Sequence, residues 1–168
     1  MNLNECELRP LAKVMIYPTT SLILSDLVRR FGHRPLVMME QVREKINTVG
    51  IDSPPLNITP REPKLGLKYA AVEVPSGVRG RMALVGPLIE EAEAAIIVNE
   101  PDIAFGCMGC ARTNELTKYL IRQKDIPLLE VNYPQNEDEG REFVSKIADF
   151  LKSLPQNGDS ENAEEDGQ

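Results

Sequence analysis

Ala94-Ala95-Ile96-Ile97-Val98 is an unbroken apolar run of five residues. A strand with one wet face alternates apolar and polar residues, whereas a strand covered on both faces does not. The run therefore predicts a strand inside a parallel sheet, with helices packed on either side. Soon after it comes the most chemically pointed stretch of the chain, Phe105-Gly106-Cys107-Met108-Gly109-Cys110-Ala111-Arg112-Thr113-Asn114-Glu115. Here two thiols with two residues between them stand among glycines, between an apolar run and a helical one.

Downstream, Thr113 to Lys124 has helical spacing, with Leu116, Leu120 and Ile121 on one face and Arg122 and Lys124 at the end. Pro127-Leu128-Leu129-Glu130-Val131 reads as the next strand and Asn132-Tyr133-Pro134 as its loop. Glu137, Asp138 and Glu139 open a last helix, where acids suit the dipole. Its core face is Phe143, Ile147, Phe150, Leu151 and Leu154.

Upstream, Tyr69-Ala70-Ala71-Val72-Glu73-Val74 reads as a strand. Pro75-Ser76-Gly77-Val78-Arg79-Gly80-Arg81 is expected as a loop at its carboxyl end, before a helix from about Met82 to Ala92. Leu36-Val37-Met38-Met39 is a further strand, followed by a short helical piece from Glu40 to Asn47. Residues 48–67 hold Pro54, Pro55, Pro60 and Pro63, a density that argues against any regular element. A loop of that length serves a site, binds a partner or covers a sheet edge. Lys13-Val14-Met15-Ile16-Tyr17 is the first strand and Pro18 ends it. Thr19, Thr20 and Ser21 supply cap oxygens for a helix from Leu22 to Arg30, with Leu22, Ile23, Leu27 and Phe31 expected on its core face. Gly32 follows as a stop signal, with Arg29 and Arg30 in the last turn.

Strands alternating with helices in this way predict an α/β fold. Right-handed crossovers then favour a doubly wound, mostly parallel five-stranded sheet of flavodoxin or Rossmann type, in order 2-1-3-4-5, with helices on both faces. In such sheets ligands bind outside the carboxyl ends of the strands. The hydroxyl run Thr19, Thr20 and Ser21, the arginine–glycine loop, the cysteine loop with Arg112, and Asn132-Tyr133 then share one rim. Ser76, Gly77, Arg79, Gly80 and Arg81 are candidate anion-binding residues, since glycine lets a backbone approach a ligand and arginine pairs bidentately with carboxylate or phosphate. The loop is not a Walker A motif, because the spacing differs and no Lys-Ser/Thr follows. The competing readings are a glycine turn with solvated arginines, and hydroxyls that serve only as caps.

The 168 residues fit one domain, expected over 12–154, with an arm over 1–11 and an acidic tail over 155–168. Asp159, Glu161, Glu164, Glu165 and Asp166 supply five of the seven net negative charges, and the tail has no large apolar residue, so it is expected to be disordered. The body is nearly neutral and has no basic stripe, which argues against nucleic-acid binding. No apolar run approaches the roughly 18 residues of a membrane span, and the start of the chain does not read as a secretory signal. Three cysteines without a framework pattern fit a reducing cytoplasm. Cys6, between two glutamates, is expected to be unreactive. His33 is the single histidine and is expected at a surface turn, which leaves no Ser-His-Asp or multi-histidine site.

Cys107 and Cys110 admit several roles. Two thiolates at this spacing can grip one edge of an iron–sulfur cluster or another metal, but a full set usually needs about four ligands. A two-fold dimer meeting at this loop would share the cluster between two chains. The pair can also cycle between dithiol and disulfide, with Arg112 and a helix start favouring thiolate. As small buried residues the two cysteines would simply pack under a glycine turn, and the chain would then be a non-catalytic assembly factor.

The segments GCMGCARTNEL (106–116), LKYAAVEVPSGVRGRMALVGPLIEEA (67–92), IPLLEVNYP (126–134) and IYPTTSLILSDLVRRFGHRPL (16–36) resemble the archaeal methanogenesis marker protein 5 family. That resemblance covers about residues 13–153. It implies a cytoplasmic protein of methane-forming archaea, in a complex of the methanogenic enzyme machinery. By association with other markers, it implies maturation or activation of a methanogenic enzyme, some of those markers carrying iron–sulfur clusters. It carries over no catalytic residue. The strand-end cysteine and the closing IPLLEVNYP…EGREFVSKIADFL are also similar in organisation to cluster-bearing domains of 2-hydroxyacyl-CoA dehydratase subunits.

Overall fold

The computed structural model describes residues 12–39, 43, 61–99 and 108–155, and of 108–110 the backbone only. Among these, β1 is Lys13–Tyr17, α1 Leu22–Arg30, β2 Arg34–Leu36, α2 Arg61–Leu65, α3 Ser76–Glu91, β3 Ala94–Asn99, α4 Met108–Arg122, β4 Leu128–Asn132 and α5 Glu137–Ser153. A 3-10 turn, Gly66–Lys68, follows α2. The arm over 1–11, residues 40–47 apart from Arg43, most of the proline-rich stretch, and the tail beyond Pro155 lie outside the described residues.

The sheet is parallel throughout, with four described strands in the order β2-β1-β3-β4. Strand parity sorts its side chains into two layers. Val14 and Ile16, with Ala94, Ile96 and Val98, face α1 and α5 and meet Leu24, Val28, Ile147 and Leu151. Met15 and Tyr17, with Ala95 and Ile97, face α3 and α4 and meet Val85, Leu88, Ile89 and Ile121. The apolar run 94–98 is buried on both sides, as its composition requires.

The sheet has four strands where five were expected, because Tyr69–Val74 forms turns. The Ala70 N–H donates to the Gly66 carbonyl at 3.0 Å and the Val74 N–H to the Ala71 carbonyl at 3.2 Å. A short run rich in Ala and Val suits a strand only where a neighbouring strand offers its edge. Here the run crosses the start of α3, and Ala70 joins Val78 and Met82 in a small third cluster. The proline-rich stretch is also less irregular at its end than composition suggests. Pro63 is the third residue of α2, in the first turn, where its missing N–H breaks no bond. The expected loop 75–81 is helical as well: α3 starts at Ser76 and runs through Pro87 to Glu91. Gly66 allows the turn to lie against α3, since a Cβ there would overlap the Arg79 carbonyl.

α1 has the bounds its capping signals predict. The Ser21 hydroxyl accepts from the Leu24 N–H at 3.3 Å, and Gly32 turns the chain at φ 82°, a region that side chains other than glycine avoid. Its core face differs from the expected one: Leu24 and Val28 are buried, Leu27 and Phe31 pack beside them, and Leu22 and Ile23 are exposed. β2 lies two residues earlier than expected. His33 is buried at 5% exposure instead of lying at the surface. Its Nε2 donates to the Leu151 carbonyl at 2.9 Å, which joins the β2 entry to the last turn of α5. Its Nδ1 has no partner among the described residues. Lys124 ties α4 to α3 by donating from Nζ to the carbonyls of Ile89, Glu90 and Ala92, each at 2.8 Å.

Candidate functional site

The site follows from topology. β1 and β3 are neighbours, but the helices that follow them leave to opposite faces. α1 covers one side of the sheet and α4 the other, so the carboxyl ends of β1 and β3 form the topological switch point, where sheets of this kind bind ligands. β1 ends at a cis Tyr17–Pro18 bond and continues into Thr19, Thr20 and Ser21. β3 ends at Asn99 and the chain returns at Met108 as α4.

Of the expected hydroxyls, Ser21 is committed to capping α1. The Thr19 carbonyl accepts from the Met38 N–H at 3.1 Å, which fastens the loop after β1 to the end of β2. The side chains of Thr19 and Thr20 make no hydrogen bond among the described residues and line the rim. Cys107 lies outside the described residues, and Cys110 is the third residue of α4, eleven residues after the last residue of β3. Thr113, Thr117 and Ile121 form the buried stripe of α4. The first turn of α4 holds no acid, and Arg112 beside it is exposed.

The arginine–glycine residues belong to α3, whose start also faces the carboxyl rim. Pro75 occupies the cap position without a side-chain cap bond, and the first turn holds no acid. Ser76 and Gly77 are exposed there, and a Cβ at Gly77 would meet open space. Arg79 is turned away from solvent: its Nε donates to the Val74 carbonyl at 3.1 Å and its Nη1 to the Pro63 carbonyl at 3.3 Å. That guanidinium braces α2 and the turn against α3. Gly80 is buried, and Arg81 is exposed and has a partner of its own. The rim therefore brings Ser76, Gly77, Thr19, Thr20 and the α4 start to one side of the sheet, while Arg79 and Ser21 serve the scaffold.

Lys118 is a rim residue that sequence reading missed. Its side chain is only 16% exposed, and its ammonium lies 5.8 Å from the centre of the Tyr17 ring and 2.6 Å from Glu115. It places one positive charge at the end of β1, beneath the start of α4. Its signal in the sequence is weak, because a lysine four residues before a basic helix end reads as solvated. Further out, Arg122 holds Glu130 by two bonds of 2.7 and 2.9 Å. That pairing keeps the Glu130 carboxyl below the usual glutamate range and raises Arg122. Among the described residues no three His, Cys, Asp or Glu side chains converge as a metal site, and no helix is long and apolar enough to cross a membrane.

A parallel α/β sheet of order β2-β1-β3-β4 with helices on both faces defines the general class. Within it, the chain belongs to the DUF2112 family, "Uncharacterized protein conserved in archaea", whose model matches residues 12–154. It is 66% identical over 145 residues to "Uncharacterized protein MJ0404" of Methanocaldococcus jannaschii, a match that covers 86% of this chain and 97% of that one. No solved structure matches the chain.

Proposed function

We propose that this chain is a member of the methanogenesis marker protein 5 group. On this reading it is an accessory protein of methane-forming archaea that handles an iron–sulfur cluster or another metal through Cys107 and Cys110. The work it serves is maturation or activation of a methanogenic enzyme. The observation that carries the reading is the start of α4 at Met108. Cys110 is the third residue of that helix, and a thiolate near a helix start is favoured by the dipole, which supports the reading. The high identity to a Methanocaldococcus jannaschii protein supports the archaeal setting. Two thiolates make half of a four-ligand set, so a second copy or a client protein supplies the other half. The expected setting is the cytoplasm.

The test is anaerobic purification with iron and sulfide analysis, set beside a Cys107→Ser/Cys110→Ser variant. Metal in the native protein that is lost in the variant supports the reading; equal metal in both overturns it. The second reading is dithiol–disulfide exchange, which the absence of acids in the first turn of α4 favours. In that case the two thiols would give up two electrons and two protons to a disulfide acceptor. A pair that stays reduced across cytosolic redox potentials rules this out.

A further inference from the structure

A cleft of about 660 Å³ opens beside the carboxyl end of β4, bounded by the loop after it and the first turns of α5. The register of the sheet pairs Asn99 with Asn132 on its last rung, so two carboxamides stand side by side there. Asn99 Nδ2 donates to Asn132 Oδ1 at 3.4 Å, and the Tyr133 N–H donates to the Asn99 carbonyl at 3.0 Å, which fixes the loop. The Tyr133 ring is 57% exposed over the cleft.

The charges in the cleft are already engaged. Glu130 is held by Arg122 and Glu142 by Lys146, and the Glu139 carboxylate accepts from the Gln135 N–H and Asn136 Nδ2, both at 2.7 Å. The start of α5 carries three acids of its own, so no positive end of a dipole is left for an anion. The unused hydrogen-bonding capacity is carboxamide: Asn132 Nδ2 and the Gln135 side chain have no partner among the described residues. Whichever way a carboxamide is turned, it presents one donor and one acceptor side by side. Its complement is another edge of that kind, such as an amide, a lactam or the amino-imine edge of a purine, which asparagine and glutamine read bidentately. A flat ring carrying such an edge would also stack on an exposed tyrosine.

We propose that this cleft binds a neutral, planar, amide-edged group, with Asn132 and Gln135 reading its edge and Tyr133 stacking on its ring. The inference is independent of the cysteines. Adenosine is the probe and adenosine monophosphate the anionic control, with binding followed through the side-chain amide NMR signals of Asn132 and Gln135. Adenosine is expected to shift both signals saturably at millimolar concentration, and the monophosphate to bind about fivefold more weakly. Asn132→Ala and Tyr133→Ala should each weaken adenosine binding about tenfold, the low end for a bidentate or stacked contact. Both positions are exposed, so an unchanged melting temperature checks that the variants fold. Saturation with those losses supports the proposal. No shift at 20 mM adenosine (about the limit of weak binding), tighter binding of the monophosphate, or binding indifferent to both substitutions overturns it.

Discussion

Two helices begin at the carboxyl rim of the same sheet and are finished in opposite ways. α5 closes its own start: the Asn136 side chain accepts from the Glu139 N–H at 2.9 Å, and the Glu139 carboxylate accepts in return from Gln135 and Asn136. Glu137, Asp138 and Glu139 then offset the dipole, and Arg141 pairs back to Glu137. α4 carries no acid in its first turn and has Arg112 beside it. One start is a finished structural joint. The other, which contains Cys110, has no acid of its own in its first described turn to offset the dipole.

The largest test of this contrast is in packing. Ile147→Ala, in the middle of α5 and fully buried, should lower unfolding free energy by about 2–5 kcal/mol in urea titration. Tyr119→Ala on α4, with the ring 57% exposed, should cost under about 0.5 kcal/mol. Equal costs would break the view of α5 as the sealed side. Next, Asn136→Ala should cost about 1 kcal/mol through loss of the cap, without altering the alkylation rate of the cysteines. A changed rate would show that the two helix starts are coupled. Arg112→Glu should slow iodoacetamide alkylation of Cys107 and Cys110 several-fold at neutral pH, since a negative charge at that helix start disfavours thiolate. The smallest effect concerns Glu130. Its carboxyl is lowered in the fold by Arg122, so the pair's contribution is complete above the usual glutamate range and is lost as pH falls through the lowered value. At this half-exposed pair it amounts to less than about 1 kcal/mol, and Arg122→Ala should remove that part of the acid dependence of melting.

What was legible in the sequence was local or periodic. β1 and α1 carry their limits in Pro18, Ser21 and Gly32, and both have the expected bounds. β3 and β4 fall within a residue of their apolar runs, and the expected face of α5 packs into the core through Ile147 and Leu151. What failed depended on partners far along the chain. Tyr69–Val74 has strand composition but no strand beside it, and Arg79 reaches back to Pro63 and Val74, which no local pattern announces. His33 is buried by a carbonyl 118 residues away. Leu22 and Ile23 match helical spacing, yet they sit in the first turn, above the layer that α1 covers. At the rim, strand order put the hydroxyls at the end of β1, but α4 begins at Met108, five residues before the expected Thr113, so Cys110 lies in a helix where a loop was expected, and Lys118 needed the fold.

The outer strands of the sheet carry a further consequence. β2 is three residues long with proline at its centre, and β4 is five residues long with Glu130 clamped at its middle. Proline cannot donate to a new ladder, and a fixed charge disfavours a flat neighbour. Both margins are thus poor templates for strand addition between molecules, which should keep the protein dispersed at high concentration. Pro35→Val together with Glu130→Val would remove both guards, and light scattering would register the loss as aggregation.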